Sequence, residues 1–107
     1  MLPSLSDQQK RELLQQTKTI AVVGLSPKPE RPSHYIAKFL QQASYRVVPV
    51  RPAIKQLLGE PVFRTLNDIP FPVDLVNVFR ASQHVPEIVN QCIESGIKTI
   101  WLQEGIV

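Results

Sequence analysis

Hydroxyl and cationic side chains are concentrated in one short segment that follows an apolar run. The segment from Gly24 to Ser33 reads GLSPKPERPS and holds Ser26, Lys28 and Arg31 between its ends. Hydroxyl groups donate hydrogen bonds to anionic oxygens, and Lys and Arg add charge-assisted ones. The glycine lets the backbone approach an anion closely, and a helix predicted to begin at Ser33 offers free N–H groups. The pattern therefore predicts a phosphate-binding loop.

The loop departs from the dinucleotide-binding fingerprint, and the next predicted strand ends in a cation. Of the pattern G-x-G-x-x-G only the first glycine is present, at Gly24. An NAD site favours an acidic residue near the end of the second strand, whereas this chain has Arg51 there. A cation suits a ribose phosphate instead. Two plainer interpretations stay open: an exposed Arg51, and a solvated Pro-rich loop in which Ser33 only caps the helix.

The other reactive side chains do not form a catalytic pattern. Arg80 directly follows an apolar strand, so it suits contact with a phosphate or an amide, with a surface role as the alternative. His34 and His84 lie in the first turns of predicted helices without a paired acid, which favours surface or capping roles. Cys92 falls on the apolar stripe of its helix, as a buried structural thiol does. We therefore predict neither a catalytic residue nor a metal site.

Strands and helices alternate along the chain, which predicts βαβ units and a mostly parallel sheet. The apolar runs predict strands over Thr19–Val23, Tyr45–Val50, Val73–Phe79 and Lys98–Gln103. Helices are predicted from Ser6 to about Gln16, from Ser33 to about Ala43, and from a cap at Ser82 to Gly96, with a helical turn in Leu66–Pro70.

Several finer features of these elements can be predicted. Ser6 and Gln9 form a capping box. Pro49 indicates a strand end or an edge strand, and Asp74 a turn. The apolar side of the second helix is predicted to hold Tyr35, Ile36, Phe39 and Leu40, and Trp101 is predicted to lie in the core.

Composition limits the class of protein. The chain has 107 residues, which favours one domain, and a net charge of +3, which suits an anionic ligand. Lys and Arg are spread along the chain, so we expect no nucleic-acid partner. The single cysteine excludes an internal disulfide and indicates a reducing, cytoplasmic location. No apolar stretch approaches the length of a membrane span, so we expect no membrane partner.

The four predicted strands should end at one crevice, because ligands of parallel sheets bind at the carboxyl ends of the strands. These ends are Gly24–Ser26, Arg51–Pro52, Phe79–Arg80 and Gln103–Gly105.

The strand ends also carry a recognisable set of motifs. The segments VGLSPKPERPS, VPVRP, LLGEPVFRTLNDIP, VDLVNVFR and IWLQEGIV together resemble the small CoA-binding protein family, which is similar to the CoA-binding domain of the succinyl-CoA synthetase alpha subunit. The resemblance runs from about Thr19 to Val107. It implies a Rossmann-like, three-layer α/β fold with a mostly parallel sheet, and coenzyme A as the ligand.

The resemblance also implies a position for each candidate residue. It places the CoA phosphates at Gly24, Ser26, Lys28, Arg31 and Ser33, and the adenosine part near Arg51, Pro52 and Lys55. It places Phe79 and Arg80 along the third strand end, and Gln103 and Glu104 near the far part of the ligand.

Two departures from the family pattern bear on these expectations. The family usually has Asn at the position of Arg51, and usually continues for a further helix and strand after the EGI segment. We expect residues 1–107 to form a single CoA-binding domain. Either its sheet is one strand short, or the sequence is a piece of a longer protein. A missing edge would expose apolar surface, so a homodimer is one possible assembly.

The leading hypothesis is a non-catalytic module that binds coenzyme A or an acyl-CoA. One alternative is an NADP-binding oxidoreductase or sensor domain, and another is a subunit that completes a larger acyl-CoA-handling enzyme. Arg51 and the missing glycines count against NAD, but they do not separate coenzyme A from NADP.

Overall fold

The computed structural model describes residues 6–102, apart from the side chains of residues 13 and 14. Its helices are α1 (Asp7–Gln16), α2 (Pro32–Gln42) and α3 (Val85–Glu94), and its strands are β1 (Thr19–Val23), β2 (Arg46–Val50), β3 (Gln56–Leu57), β4 (Glu60–Pro61), β5 (Leu75–Val78) and β6 (Ile100–Leu102). Short 3-10 helices span Leu66–Asp68 and Ser82–His84. Within these residues, no helix is long and apolar enough to cross a membrane.

The main sheet has four parallel strands in the order β2-β1-β5-β6. This order confirms the predicted Rossmann-like α/β fold. Pro49 lies in β2, an edge strand of this sheet, as its missing N–H group predicted. The separate β3-β4 hairpin turns at Leu58 and Gly59, both with positive φ.

Two apolar clusters cover the two faces of the sheet and make the three layers. Along β1, Ile20 and Val22 pack on the side of Ala37 in α2, because alternate strand residues point to opposite faces. Ala21 and Val23 pack on the other side, where α3 contributes Ile88 and Cys92. Both sheet faces are therefore buried, so polar ligands have access at the strand ends.

The predicted apolar face of α2 was partly wrong. Ile36 and Leu40 pack against the core, but Tyr35 is 54% exposed and Phe39 is 66% exposed. The buried row is centred on Ala37, and a helical residue lies about 100° around the axis from its neighbour. The apolar side of α2 that the sequence predicts is therefore wider than the side of α2 that the sheet covers.

Local bonds at the element ends confirm some predictions and correct others. The capping box of α1 is present, with Ser6 N donating to Gln9 Oε1 at 2.9 Å and Gln9 N donating to Ser6 Oγ at 3.1 Å. Asp74 does more than turn the chain, because its Oδ2 accepts from the backbone N–H groups of Lys18 and Thr19, each at 3.0 Å. This carboxylate fixes the start of β1 beside β5.

The predicted cap at Ser82 was wrong. Ser82 begins a 3-10 turn, and α3 begins only at Val85, without a side-chain cap. Pro86 explains the shift, since proline is favoured in the first turn of a helix and disfavoured further in.

Candidate functional site

An open crevice lies where β1, β2 and β5 end. Its volume is about 540 Å³, within the range of about 300–1,000 Å³ that is usual for small-molecule sites. Gly24, Arg51 and Phe79 each directly follow a strand and line the crevice. The first turn of α2 forms another wall.

Most of the residues proposed from the sequence line this crevice: Gly24, Ser26, Lys28, Arg31, Ser33, Arg51, Pro52, Phe79 and Arg80. Lys55 is exposed and is not among the lining residues. Gln103 and Glu104 lie outside the described residues.

The loop between β1 and α2 is held in shape by the first turn of the helix. Ser26 N donates to Ser33 Oγ at 2.9 Å, and Ser26 Oγ accepts from Lys28 N at 3.1 Å. His34 Nδ1 lies 2.8 Å from Ser26 O, and because a carbonyl only accepts, this nitrogen carries the hydrogen. These bonds within the chain organise the loop that offers Lys28 and Arg31 to the crevice.

The plainer alternative, in which Ser33 only caps the helix, is therefore wrong. The N-cap position belongs to Arg31, and Pro32 occupies the first helical position. Proline suits that position because its missing N–H would have no helical partner there. Ser33 is only 3% exposed, and its hydroxyl oxygen accepts from the loop backbone. Its role in the structure is to connect the loop to the helix.

Gly24 brings the ends of β1 and β5 unusually close together. Its φ is +84°, a conformation that favours glycine. A Cβ at this position would lie 2.8 Å from Phe79 O and 2.9 Å from Arg80 Cδ. The absence of a side chain therefore makes room for Arg80 to lie across the end of β1.

Arg51 is half-buried, which argues against a freely solvated side chain. Its Nη1 donates to Leu25 O at 3.2 Å and its Nε to Pro52 O at 3.3 Å. The bond to Leu25 O connects the end of β2 to the segment after β1. A guanidinium has five N–H donors, so Arg51 keeps donors for a ligand as well.

The crevice is strongly cationic. Lys28, Arg31, Arg51 and Arg80 line it, and no Asp or Glu is among its described lining residues. Arg80 is half-buried, and within residues 6–102 it makes no hydrogen bond or ion pair. Charged groups are rarely buried without a partner. An unpaired guanidinium beside other cations is therefore suited to an anionic ligand.

Sequence reasoning missed His84 as a lining residue. Its position in the 3-10 turn after β5 brings it to the crevice. The feature of the sequence that indicates this role is the position of His84, four residues after Arg80 in the loop that follows a strand end. His84 occupies the N-cap position of α3 without a side-chain cap bond, and it is half-buried rather than on the surface.

A smaller cavity of about 150 Å³, here called the side cavity, adjoins the crevice. The two share Arg51, Pro52, Arg80 and His84. The polar residues found only in the side cavity are Arg64, Thr65, Glu87 and Gln91, and its apolar wall is formed by Val23, Val50 and Ile88.

Cys92 belongs to the hydrophobic core. The Cys92 thiol is fully buried, and burial raises its pKa from 9.0 to about 11, so it is a poor nucleophile at neutral pH. It lies on the face of α3 that packs against the sheet, as predicted. Within the described residues, no group of three His, Cys, Asp or Glu side chains is placed to hold a metal.

Comparison with known proteins identifies relatives of the whole described fold. A family model described as a CoA binding domain matches residues 18–107. The protein YneT of Bacillus subtilis is 42% identical over 97 residues, which cover 91% of this chain and 72% of YneT. The solved structure of a hypothetical protein from Pyrococcus horikoshii OT3 is 35% identical, with a TM-score of 0.91, and the match covers 100% of this chain and 79% of that one.

A larger enzyme is also similar over part of its length. The ADP-forming acetate–CoA ligase I of Archaeoglobus fulgidus is 33% identical over 75 residues, which cover 70% of this chain but only 11% of the ligase. The likeness concerns one small part of that enzyme.

Proposed function

The chain belongs to the family of CoA-binding domains, and from this membership and the crevice we propose that it binds coenzyme A or an acyl-CoA across the carboxyl ends of β1, β2 and β5. The observation that carries the proposal is the charge of the crevice. Lys28, Arg31, Arg51 and Arg80 converge on a cavity without a described acidic lining residue. Coenzyme A brings a pyrophosphate and a ribose 3′-phosphate, so its anionic half matches these cations.

The first turn of α2 supports a site for the pyrophosphate. Helix N-termini bind anions because their first N–H groups have no partner within the helix. Pro32 has no N–H, and the N–H groups of His34 and Tyr35 both bond to Arg31 O. The Ser33 amide, at the second helical position, is then the backbone donor that we assign to the phosphate, together with Lys28 and Arg31 at the loop.

The chain's own residues bind and orient in this proposal; none performs a chemical step. The loop bonds from Ser33 and His34 hold the cations near their binding positions, which reduces the entropy lost when a ligand binds. Pro27, Pro29 and Pro32 restrict the same loop further. The site is therefore that of a binding module.

Calorimetric titration of the purified chain with coenzyme A, NADP and NAD tests the function. We expect coenzyme A to bind most tightly, and its affinity to fall as salt is raised, because the contacts are ionic and partly exposed. Tighter binding of either nicotinamide dinucleotide would overturn the proposal.

A further inference from the structure

We propose that the side cavity binds the ribose 3′-phosphate of coenzyme A, while the pyrophosphate lies in the crevice against α2. This inference rests on the proposed function and assigns a separate part of the ligand to a separate set of residues. The 3′-phosphate is a compact phosphomonoester, close to a dianion at neutral pH.

The charge of the side cavity is the first argument. Arg51, Arg64 and Arg80 line it, whereas Glu87 is its one acidic residue within the described chain. Arg64 is exposed and Arg80 half-buried, and within residues 6–102 neither makes a hydrogen bond or an ion pair. Glu87, which is exposed, therefore neutralises neither of them by direct contact. The cavity keeps an excess of positive charge.

The hydrogen-bonding groups of the side cavity are the second argument. Gln91 Oε1 accepts from Leu66 N at 3.1 Å, so its amide oxygen is engaged and its NH₂ group remains to donate. Thr65 Oγ1 already donates to Asp68 Oδ2 at 3.0 Å. The remaining groups of Gln91, Arg64 and Arg80 are all donors. A phosphate offers only acceptors when it is a dianion, and thus complements this set.

Size and position are the third argument. A water molecule takes about 30 Å³ of liquid, so about 150 Å³ holds a phosphate and a few waters but not the long pantetheine arm. Because Arg51 and Arg80 line both cavities, one ligand can reach both without leaving the protein surface. Arg80 then lies between the two anionic parts of the same molecule.

The test compares coenzyme A with dephospho-coenzyme A in calorimetric titrations of four proteins: the unmodified chain, Arg64→Gln, Glu87→Gln and Arg11→Gln. Arg11 is an exposed arginine of α1 that lines neither cavity, so its variant is the matched control. We expect the unmodified chain and Arg11→Gln to bind coenzyme A about tenfold more tightly than dephospho-coenzyme A. In Arg64→Gln this difference should nearly vanish because coenzyme A alone loses affinity. In Glu87→Gln it should grow, because a repulsive carboxylate is removed.

The outcomes separate this inference from the proposed function. Tight and equal binding of both ligands to the unmodified chain overturns the phosphate subsite and leaves the binding function intact. An equal loss for both ligands in Arg64→Gln also overturns it. If added inorganic phosphate makes dephospho-coenzyme A bind more tightly to the unmodified chain but not to Arg64→Gln, a phosphate occupies the side cavity beside the ligand, which supports the subsite. Failure of both ligands to bind a folded chain, checked by circular dichroism, overturns the proposed function and the subsite with it.

Discussion

The side chain of Arg80 occupies space that a side chain on Gly24 would need, at the point where β1 and β5 end, and both residues line the crevice. A Cβ on Gly24 would lie 2.9 Å from Arg80 Cδ, and also 2.8 Å from Phe79 O, which is backbone and cannot turn aside. The close approach and the positive φ of +84° both require glycine here.

Replacing Gly24 by alanine should therefore destabilise the fold and displace Arg80. We expect Gly24→Ala to lower the free energy of unfolding by about 3 kcal/mol, of which left-handed strain accounts for about 1–2 kcal/mol. Urea denaturation measures the loss. Gly59→Ala is the matched control, because Gly59 also has a positive φ of +76° but a Cβ there meets nothing within 4 Å. If the free energy of unfolding falls equally in the two variants, the close approach to β5 does not contribute to the loss of stability.

Arg80 and Arg51 should respond differently to loss of charge. Arg80→Gln removes a guanidinium that has no described protein partner, so we expect little change in stability and about a tenfold weaker affinity for coenzyme A. Arg51→Gln also removes the bonds to Leu25 O and Pro52 O, so it should lower both affinity and stability. Thermal denaturation and calorimetry on each variant check this. A destabilised Arg80→Gln with unchanged affinity would contradict the assignment of Arg80 to the ligand.

The bond from Ser26 N to Ser33 Oγ should control the order of the loop. Ser33→Ala leaves the Ser26 amide without its acceptor, at a cost of about 1–3 kcal/mol confined to the loop. We expect faster hydrogen exchange at Ser26, weaker coenzyme A binding, and recovery of both in Ser33→Thr, which keeps the oxygen. Ser82→Ala, at an exposed serine without a cap bond, is the control. Unchanged exchange at Ser26 in Ser33→Ala would show that the loop does not depend on this bond.

Stability should fall at alkaline pH partly because of Cys92. Burial raises the pKa of its thiol to about 11, so between pH 9 and pH 11 the unfolded chain loses the proton while the folded chain keeps it. The unfolded state then binds fewer protons, and the free energy of unfolding decreases by about 2–3 kcal/mol over this window. Below pH 9 the thiol is protonated in both states and adds no pH dependence.

Cys92→Ala isolates the effect of this thiol, because all other groups are the same in the two proteins. The variant should lose stability at every pH because it leaves a cavity, but its decline from pH 9 to pH 11 should be shallower. Parallel declines in denaturant melts of the two proteins would contradict the raised pKa.

The strands of the main sheet and most residues of the crevice could be predicted from the sequence. Burial of both sheet faces leaves a clear mark in the sequence, so β1 was predicted with its observed ends and Pro49 correctly indicated an edge strand. The loop residues could be placed together because the ends of parallel strands meet at one edge of the sheet.

Side-chain partners could not be predicted, because they depend on residues distant in sequence. From its place in the sequence, Ser33 suits a phosphate contact or a helix cap, yet its oxygen accepts from a loop amide seven residues earlier. His84 was assigned to the surface because its place beside the crevice depends on where β5 lies. The exposure of Tyr35 and Phe39 depends on how much of α2 the sheet covers. The helical periodicity of the sequence does not determine this extent.

The most direct test of the central claim is an NMR titration of the ¹⁵N-labelled chain with coenzyme A. We expect the largest amide shifts at Gly24, Ser26 and Arg80, which lie at the carboxyl ends of the strands. A third cavity, of about 420 Å³, lies near the opposite ends of β5 and β6 and is lined by Ile69, Ser95 and others. It serves as the internal comparison and should not respond. Shifts centred on Ile69 and Ser95, or no shifts at saturating coenzyme A, would contradict the account.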